Sequence, residues 1–439
     1  MSRPTTPFSP LIISNDSAES WAKHMVEDPS SSTWFSHSKH FFVYTIAGKP
    51  AFSRYGSDVE LAPFMATLIA ITSVVNDNKD ELNYLRSKDH LFVFMSKGPL
   101  QFCCASKTGE NVFIIQRQLE FLFHAMCSIV PFPTIQSIFD KSYGTDFRNI
   151  IGGTYNQLKS AITHANTSAG VVHNAYDIYQ FAPSERAVMT EALQKAVSST
   201  NIELFKSNND CILFAGVLKE GKIVCLGKRS AQLTPMDSQV LIAFVNSISA
   251  RGTISWMPLC LSDFNEKAQI HVFVNYLTED SAIVFCATQP TSLPHLTRCC
   301  ESFERAIKAT KAFSQIENPS QTICPFLSKR EILHFIVFGK TDNQVSASSY
   351  TVHTTRKEQK KLFRVYETLY VATAVEGFKQ EMICDENVVV VSVENNTHFA
   401  FVSFPKMVDK NKINKISTNV LSWAVKEDSL WVKKFAQFS

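Results

Sequence analysis

One arrangement recurs three times along the chain and leaves few folds open to it. A β-hairpin leads into a helix heralded by a hydroxyl residue with a carboxylate three places on. A lone strand, a second hairpin and a closing helix follow. The opening hairpins are "FFVYTIAGKPAFSRY", turning at Gly48, "CILFAGVLKEGKIVCLGKR", turning at Glu220-Gly221, and "ILHFIVFGKTDNQVSASSYTV", turning near Asp342-Asn343. Each sets β-rich runs around a turn cluster. The helix signals are Ser57 with Glu60, Thr234 with Asp237 (and Pro235 in the first turn), and Thr355 with Glu358. A cap hydroxyl and a carboxylate reaching back satisfy backbone N–H groups that a helix start leaves unpaired. Closing helices are expected over 112–130, 294–311 and 412–425.

The order β-β-α-β-β-β-α, three times, predicts an α/β chain of the α+β type. It has three small domains, each an antiparallel five-stranded sheet with packed helices. The repeat is too long for a solenoid. The domains fall at 38–200, with a helical extension beginning near 134, at 201–318 and at 319–439. Residues 1–37, rich in Ser, Thr and Pro, read as a disordered leading segment.

Composition narrows function by exclusion. A hydrophobic share of 45% with 19% charged residues over 439 positions is that of an ordinary globular protein. A net charge of +3 gives no global nucleic-acid footprint, so no nucleic-acid partner is expected. The 11 cysteines include no C-x-x-C pair and read as reduced, buried thiols. With no signal sequence, lipidation motif or apolar run long enough to span a bilayer, a cytoplasmic location is expected.

The search for chemistry returns little. "GVLKEGK", residues 216–222, matches a phosphate-binding loop, but Ile223 stands where Ser or Thr would hold magnesium, and the loop joins two strands rather than a strand and a helix. Gly152-Gly153 reads as a helix break, and Asp89-His90 as a polar pair at a strand end. No nucleophile elbow, zinc motif or linked Cys/His set appears, so no catalytic residue, metal or cofactor is expected.

Two surfaces stand out instead. The helix "LAPFMATLIAITSVV" is apolar on nearly every side. Leu61, Phe64, Met65, Leu68 and Val75 form the stripe that covers a sheet, leaving Ile69, Ile71 and Val74 on other flanks. Either the segment 134–164 buries the second face or a partner does; Phe64, Leu68, Ile69, Ile71 and Val74 are the candidate interface residues. The other surface is basic. Lys357, Lys360, Lys361 and Arg364 on the third unit's first helix, with Lys410 and Lys412 farther on, form either a solvated face or an attachment site for an anionic membrane, with Phe363 and Met407 as anchors.

Several stretches resemble the Mon/SAND family: "KHFFVYTIAGKPAFSRYGSDVELAPFMATLIAI", "SKDHLFVFMSKGPLQFCCASKTGE", "RQLEFLFHAMCSIV", "GTDFRNIIGGTYNQL", and "SWMPLCLSDFN" with "HVFVNYL". The resemblance implies three longin domains. It implies a heterodimer with a Ccz-one-like longin protein, acting as guanine nucleotide exchange factor for a Rab-seven-type GTPase on late endosomes and vacuoles. It also implies recruitment by a Rab-five-type GTPase, with Trp256 in the docking edge, and support from anionic phosphoinositide membranes. A non-catalytic longin adaptor is the competing reading. Exchange makes no covalent bond, in keeping with the empty catalytic search.

Overall fold

The first strand, β1 (Lys39–Thr45), is buried along its whole length. Successive side chains of a strand point opposite ways, so its sheet must be covered on both faces. The computed structural model shows that cover; it describes residues 27–57, 59–77, 79–204, 212–227, 233–318, 324–350, 352, 355–375, 382–385 and 388–432. A short helix, α1 (Ser32–Ser36), precedes β1. Then come β2 (Pro50–Ser53), α2 (Ala62–Asp77), β3 (Tyr84–Ser87), β4 (His90–Lys97), β5 (Leu100–Ser106) and α3 (Val112–Ile129). The sheet is antiparallel in the order β2-β1-β5-β4-β3. Phe42, Tyr44 and Cys103 pack beneath α2, while Phe41, Val43 and Cys104 pack with Ile115 and Leu119 of α3.

Four helices continue from α3: α4 (Phe132–Lys141), α5 (Arg148–Ile151), α6 (Tyr155–Ala165) and α7 (Ala169–His173). Gly152 and Gly153 break α5 from α6, Gly153 at a φ of +87° that favours glycine. A strand, β6 (Tyr176–Ile178), and a long helix, α8 (Pro183–Leu204), lead into the second unit. That unit contains β7 (Ile212–Lys219), β8 (Lys222–Leu226), α9 (Pro235–Ser247), β9 (Ser255–Leu259), α10 (Ser262–Asn265), β10 (Ile270–Tyr276), β11 (Ser281–Ala287) and α11 (Leu293–Ile307). After α12 (Lys311–Glu317) and α13 (Pro325–Ser328), the third unit runs β12 (His334–Gly339), β13 (Gln344–Ala347), α14 (Arg356–Tyr370), β14 (Met382–Cys384), β15 (Val388–Glu394), β16 (His398–Pro405) and α15 (Lys410–Lys426).

Both later units repeat the strand order of the first, as β8-β7-β11-β10-β9 and β13-β12-β16-β15-β14. They do not stand apart. Strand β6 lies between β13 and β8, parallel to each, and fuses the two into one sheet of 11 strands. Arg186 of α8 secures the junction. Its guanidinium donates to the carbonyls of Tyr179, Val224, Asp428, Ser429 and Trp431 at 2.6–3.1 Å, a use of its fork of N–H groups that an ammonium could not match.

Two boundaries drawn from sequence move. Helix α8, which a first domain ending at 200 would claim, packs on the second sheet, where Met189, Leu193 and Ala196 meet Val217, Val224 and Phe285. Residues 1–26 of the leading segment lie outside the described residues, but 27–37 are built into the first unit rather than disordered. Trp34 is buried with its Nε1–H on the Tyr55 carbonyl at 3.3 Å, and His37 stacks on Tyr55 at 3.7 Å.

The three helix signals differ in outcome. Thr355 and Glu358 form the full reciprocal box. Thr234 caps α9 by accepting from the Asp237 N–H at 3.1 Å, but the Asp237 carboxylate turns away and accepts from the backbone N–H groups of Asp263 and Phe264. Helix α2 begins at Ala62 rather than after Ser57, whose carbonyl receives the Leu61 N–H.

Candidate interaction surfaces

Helix α2 has one face on its sheet and one in solvent. Leu61, Met65, Leu68 and Thr72 recur at helical spacing and are buried against Phe42, Tyr44, Phe94 and Cys103. Phe64 and Ile69 are half-buried at the flanks. Pro63, Ala66, Thr67, Ala70, Ile71, Ser73 and Val74 are exposed, Val74 to 64%. The next strand, β3, is the free edge of the sheet, and all four of its residues, including Tyr84 and Leu85, are exposed. Of the five interface residues inferred from sequence, Leu68 is therefore a core residue, Phe64 and Ile69 are half-buried, and the side chains of Ile71 and Val74 are exposed. Segment 134–164 does not cover this face. It lies across the sheet with α3, where Ile135, Phe139, Leu158 and Ile162 join the core that also holds α9.

Trp256 sits on β9, the edge strand at one end of the 11-stranded sheet. It is half-buried, its ring stacked on His271 at 5.2 Å. Ile254 and Met257 beside it are exposed. Behind this edge, α10 is held from two sides. Its backbone caps Asp237 of α9, and Ser262 Oγ lies 2.8 Å from His124 Nδ1 of α3.

The basic residues do not share one face. Helix α14 packs with Ile336, Val390 and Phe401, whereas α15 packs with Phe335, Val389 and Val402, the residues that point the other way from the same strands. The two helices cover opposite faces of the third sheet. Lys357 is exposed; Lys361 is paired to Asp385 at 3.1 Å; Lys360 and Arg364 are half-buried on the side of α14 turned to the first unit. Phe363 is a core residue, not an anchor. Met407, by contrast, is 98% exposed on the loop before α15, with Lys406, Lys410, Lys412 and Lys415 exposed around it.

Two polar constellations that the fold assembles have a structural geometry. His124 meets both Ser262, at 2.8 Å, and Asp263, at 3.8 Å, through the same ring nitrogen, whereas a nucleophilic triad needs one partner on each. The pattern 216–222 spans the end of β7 and the turn into β8, where its terminal Lys222 pairs with Lys219 across the antiparallel hairpin, so the segment lacks the strand-to-helix turn of a phosphate-binding loop. Among the described residues no group of three His, Cys, Asp or Glu side chains is placed to hold a metal, and no single helix is long and apolar enough to cross a membrane.

Sequence reading missed the long-range polar joints, one within the first unit and one between the first and second. Lys39 is buried and donates to Gln118 at 2.9 Å, to Asn166 at 3.0 Å and to Glu110. Gln239 of α9 donates to the Ala175 carbonyl at 2.7 Å, and its oxygen meets His164 at 2.6 Å and Ser168 at 3.2 Å. Partners 64 to 127 positions apart carry no local pattern, although a Gln inside an apolar helix is itself a hint.

Comparison with known proteins gives this geometry a family setting. Residues 39–161 match the model described as the first longin domain of FUZ, MON1 and HPS1, and residues 211–305 match the second longin domain of the same set. A vacuolar fusion protein MON1 homolog of Oryza sativa subsp. japonica is 25% identical over 91% of this chain and 76% of its own length. One from Arabidopsis thaliana is 26% identical over 91% and 70%. Protein SAND of Takifugu rubripes is 24% identical over 78% and 66%.

Proposed function

The chain belongs to the Mon/SAND family of longin-domain proteins, and from that premise we propose that it is one half of a heterodimeric guanine nucleotide exchange factor. A role in vesicle trafficking and fusion is what membership implies. The finer reading is that a Ccz-one-like longin protein covers the outer face of α2, and that the pair activates a Rab-seven-type GTPase on endosomal and vacuolar membranes. The observation that carries it is the apolar face of α2, exposed among the described residues, beside the exposed edge strand β3. Burying a side chain such as Ile71 or Val74 stabilises a contact by ~1.5–3 kcal/mol, and an apolar helix face of this kind marks an association site.

Exchange by such a pair rests on differential affinity. A surface that binds the nucleotide-free GTPase more tightly than the loaded form expels nucleotide without bond chemistry. Recruitment through a Rab-five-type GTPase is assigned to the β9 edge around Trp256, where an incoming strand or loop would find unpaired backbone next to Ile254 and Met257. For peripheral contact with anionic phosphoinositide membranes, the loop bearing Met407 with the first turn of α15, which carries Lys410 and Lys412, is the better-placed candidate, since Lys360 and Arg364 are turned toward the first unit and Lys361 is paired.

The test is release of labelled GDP from a panel of Rab GTPases by the chain co-purified with its longin partner. Accelerated release from a Rab-seven-type member supports exchange. Stable pairing with GTPase binding but no acceleration supports the adaptor reading.

A further inference from the structure

Helix α14 carries Arg356, Lys360 and Arg364 at intervals of four, which sets them along one face. That face is directed at the first unit. Leu362, Phe363 and Tyr366 share a core with Ile114 of α3 and with Ala169 and Val172 of α7, and Tyr370 meets the Phe113 ring. From the first unit, Arg54, just beyond β2, and Lys39, at the start of β1, lie close enough to act electrostatically on Arg356 or Lys360. Five cationic side chains from two units thus gather at one seam: Lys39, Arg54, Arg356, Lys360 and Arg364. Burial, then Arg356, Arg54, Arg364 and Lys39 in turn, push the Lys360 ammonium down to about 8.

The seam holds little negative charge to balance them. Glu110 is buried and ionised, kept below the usual carboxylate range against the pull of burial by Lys39 and by hydrogen bonds from Lys39 and Thr108. Its ion pair is with Lys39, and its charge reaches Arg364 at longer range, which leaves Arg54, Arg356 and Lys360 without a carboxylate of their own. Glu367 is buried with neither oxygen hydrogen-bonded, and burial, reinforced by Glu110, raises it to about 8, so at neutral pH it is mostly protonated. Among the described residues, Arg54, Arg356, Lys360 and Arg364 have no carboxylate at ion-pair distance. The Arg54 guanidinium rests instead over the Tyr55 ring at 5.2 Å. Recessed cations are ordinarily paired. Here Arg54, Lys360 and Arg364 are half-buried and Arg356 is exposed beside them, and with three guanidinium forks suited to phosphate oxygens they leave the seam short of an anion.

We propose that the seam between the β1–β2 end of the first unit and α14 of the third is a binding site for a compact polyphosphate group, of the kind carried by a soluble inositol polyphosphate, which clasps the two units together. This goes beyond the exchange reading and does not depend on it. A phosphoinositide headgroup presents the same chemistry. The soluble source is preferred because Lys360 and Arg364 are recessed, while the exposed Lys357, Lys410 and Lys412 lie elsewhere on α14 and on the opposite face of the third sheet.

The test uses the full chain, inositol hexakisphosphate as probe, and two readouts: calorimetric titration and the melting temperature. The wild type is expected to bind the probe and to melt higher in its presence. A double variant, Arg54→Gln with Lys360→Gln, is expected to lose at least about tenfold in affinity, or about 1.4 kcal/mol, because two charge-assisted contacts to the phosphates are removed. Its melting temperature without probe should not fall, because the substitutions remove like charges from a crowded seam. A second variant, Lys410→Gln with Lys412→Gln, should bind the probe as the wild type does. Phosphatidylcholine vesicles doped with phosphatidylinositol bisphosphate form the other arm. Binding to vesicles alone, lost in the Arg54/Lys360 variant, would overturn the soluble source in favour of the lipid. No binding of the probe or vesicles, or binding indifferent to the Arg54/Lys360 change, would overturn the site.

Discussion

Helices α2 and α9 hold the same place in their units, each following the opening hairpin, and each is apolar almost all the way round. Their surroundings differ. Every residue of α9 over 236–245 is buried, because the second sheet lies on one side and α3 and α6 of the first unit lie on the other. Among the described residues helix α2 packs on its own sheet and on the segment bearing Trp34, and Ile71 and Val74 are exposed. Helix α14 is the intermediate case, meeting the first unit partly through apolar side chains and partly through charge. The second apolar face is filled from within the chain at α9, whereas at α2 it is exposed among the described residues, which is the difference the proposed partner would remove.

That comparison can be broken by placing the same insult on both helices. Ile242→Asp in α9 buries an unpaired carboxylate in the joint between the first two units, and a loss of more than about 4 kcal/mol is expected, enough to abolish cooperative unfolding by calorimetry. Leu68→Ala, on the sheet side of α2, leaves a cavity and should cost ~2–5 kcal/mol by denaturant titration. Gln239→Leu strips the Ala175 carbonyl and His164 of their partner and should cost ~1–3 kcal/mol.

The α14 joint answers to pH. Glu367 is raised from its ordinary 4.5 to about 8, so the folded state holds a proton there that the unfolded chain has released. Its contribution to stability is fully present below about 4.5 and is lost as pH rises to 8. Glu367→Gln should flatten this decline, a difference on the order of 1–3 kcal/mol across the window in melting curves at stepped pH. An unchanged slope would mean the carboxyl is solvated or paired. The smallest effect is expected on the outer face of α2, where Val74→Asp should alter stability by no more than about 0.5 kcal/mol.

Sequence made the repeating unit legible because its signals are local. Period-two runs, the turn at Glu220-Gly221 and the capping box at Thr355 each lie within a few residues of the element they specify. It also exposed the excess apolar surface of the α2 helix, though Leu68 could not be separated from Ile71 without knowing the helix's rotation on its sheet. What it could not reveal is long-range. Strand β6 is three residues long, too short for a period to register, yet it fuses two sheets into one. The basic residues of α14 and α15 looked like one surface because charge is counted along the chain, while the face a helix covers is set by which strand residues it meets. The joints at Lys39, Arg186 and Gln239 depend on partners brought together only by folding.

The central claim is that the outer face of α2 is completed by another protein. Ile71→Asp with Val74→Asp, co-expressed with a Ccz-one-like longin partner and analysed by size-exclusion chromatography with light scattering, tests it most directly. The wild type is predicted to run as a one-to-one complex, and the double variant as a separate chain with an unchanged circular dichroism spectrum and melting temperature. A double variant that still forms the complex in full yield would contradict the account.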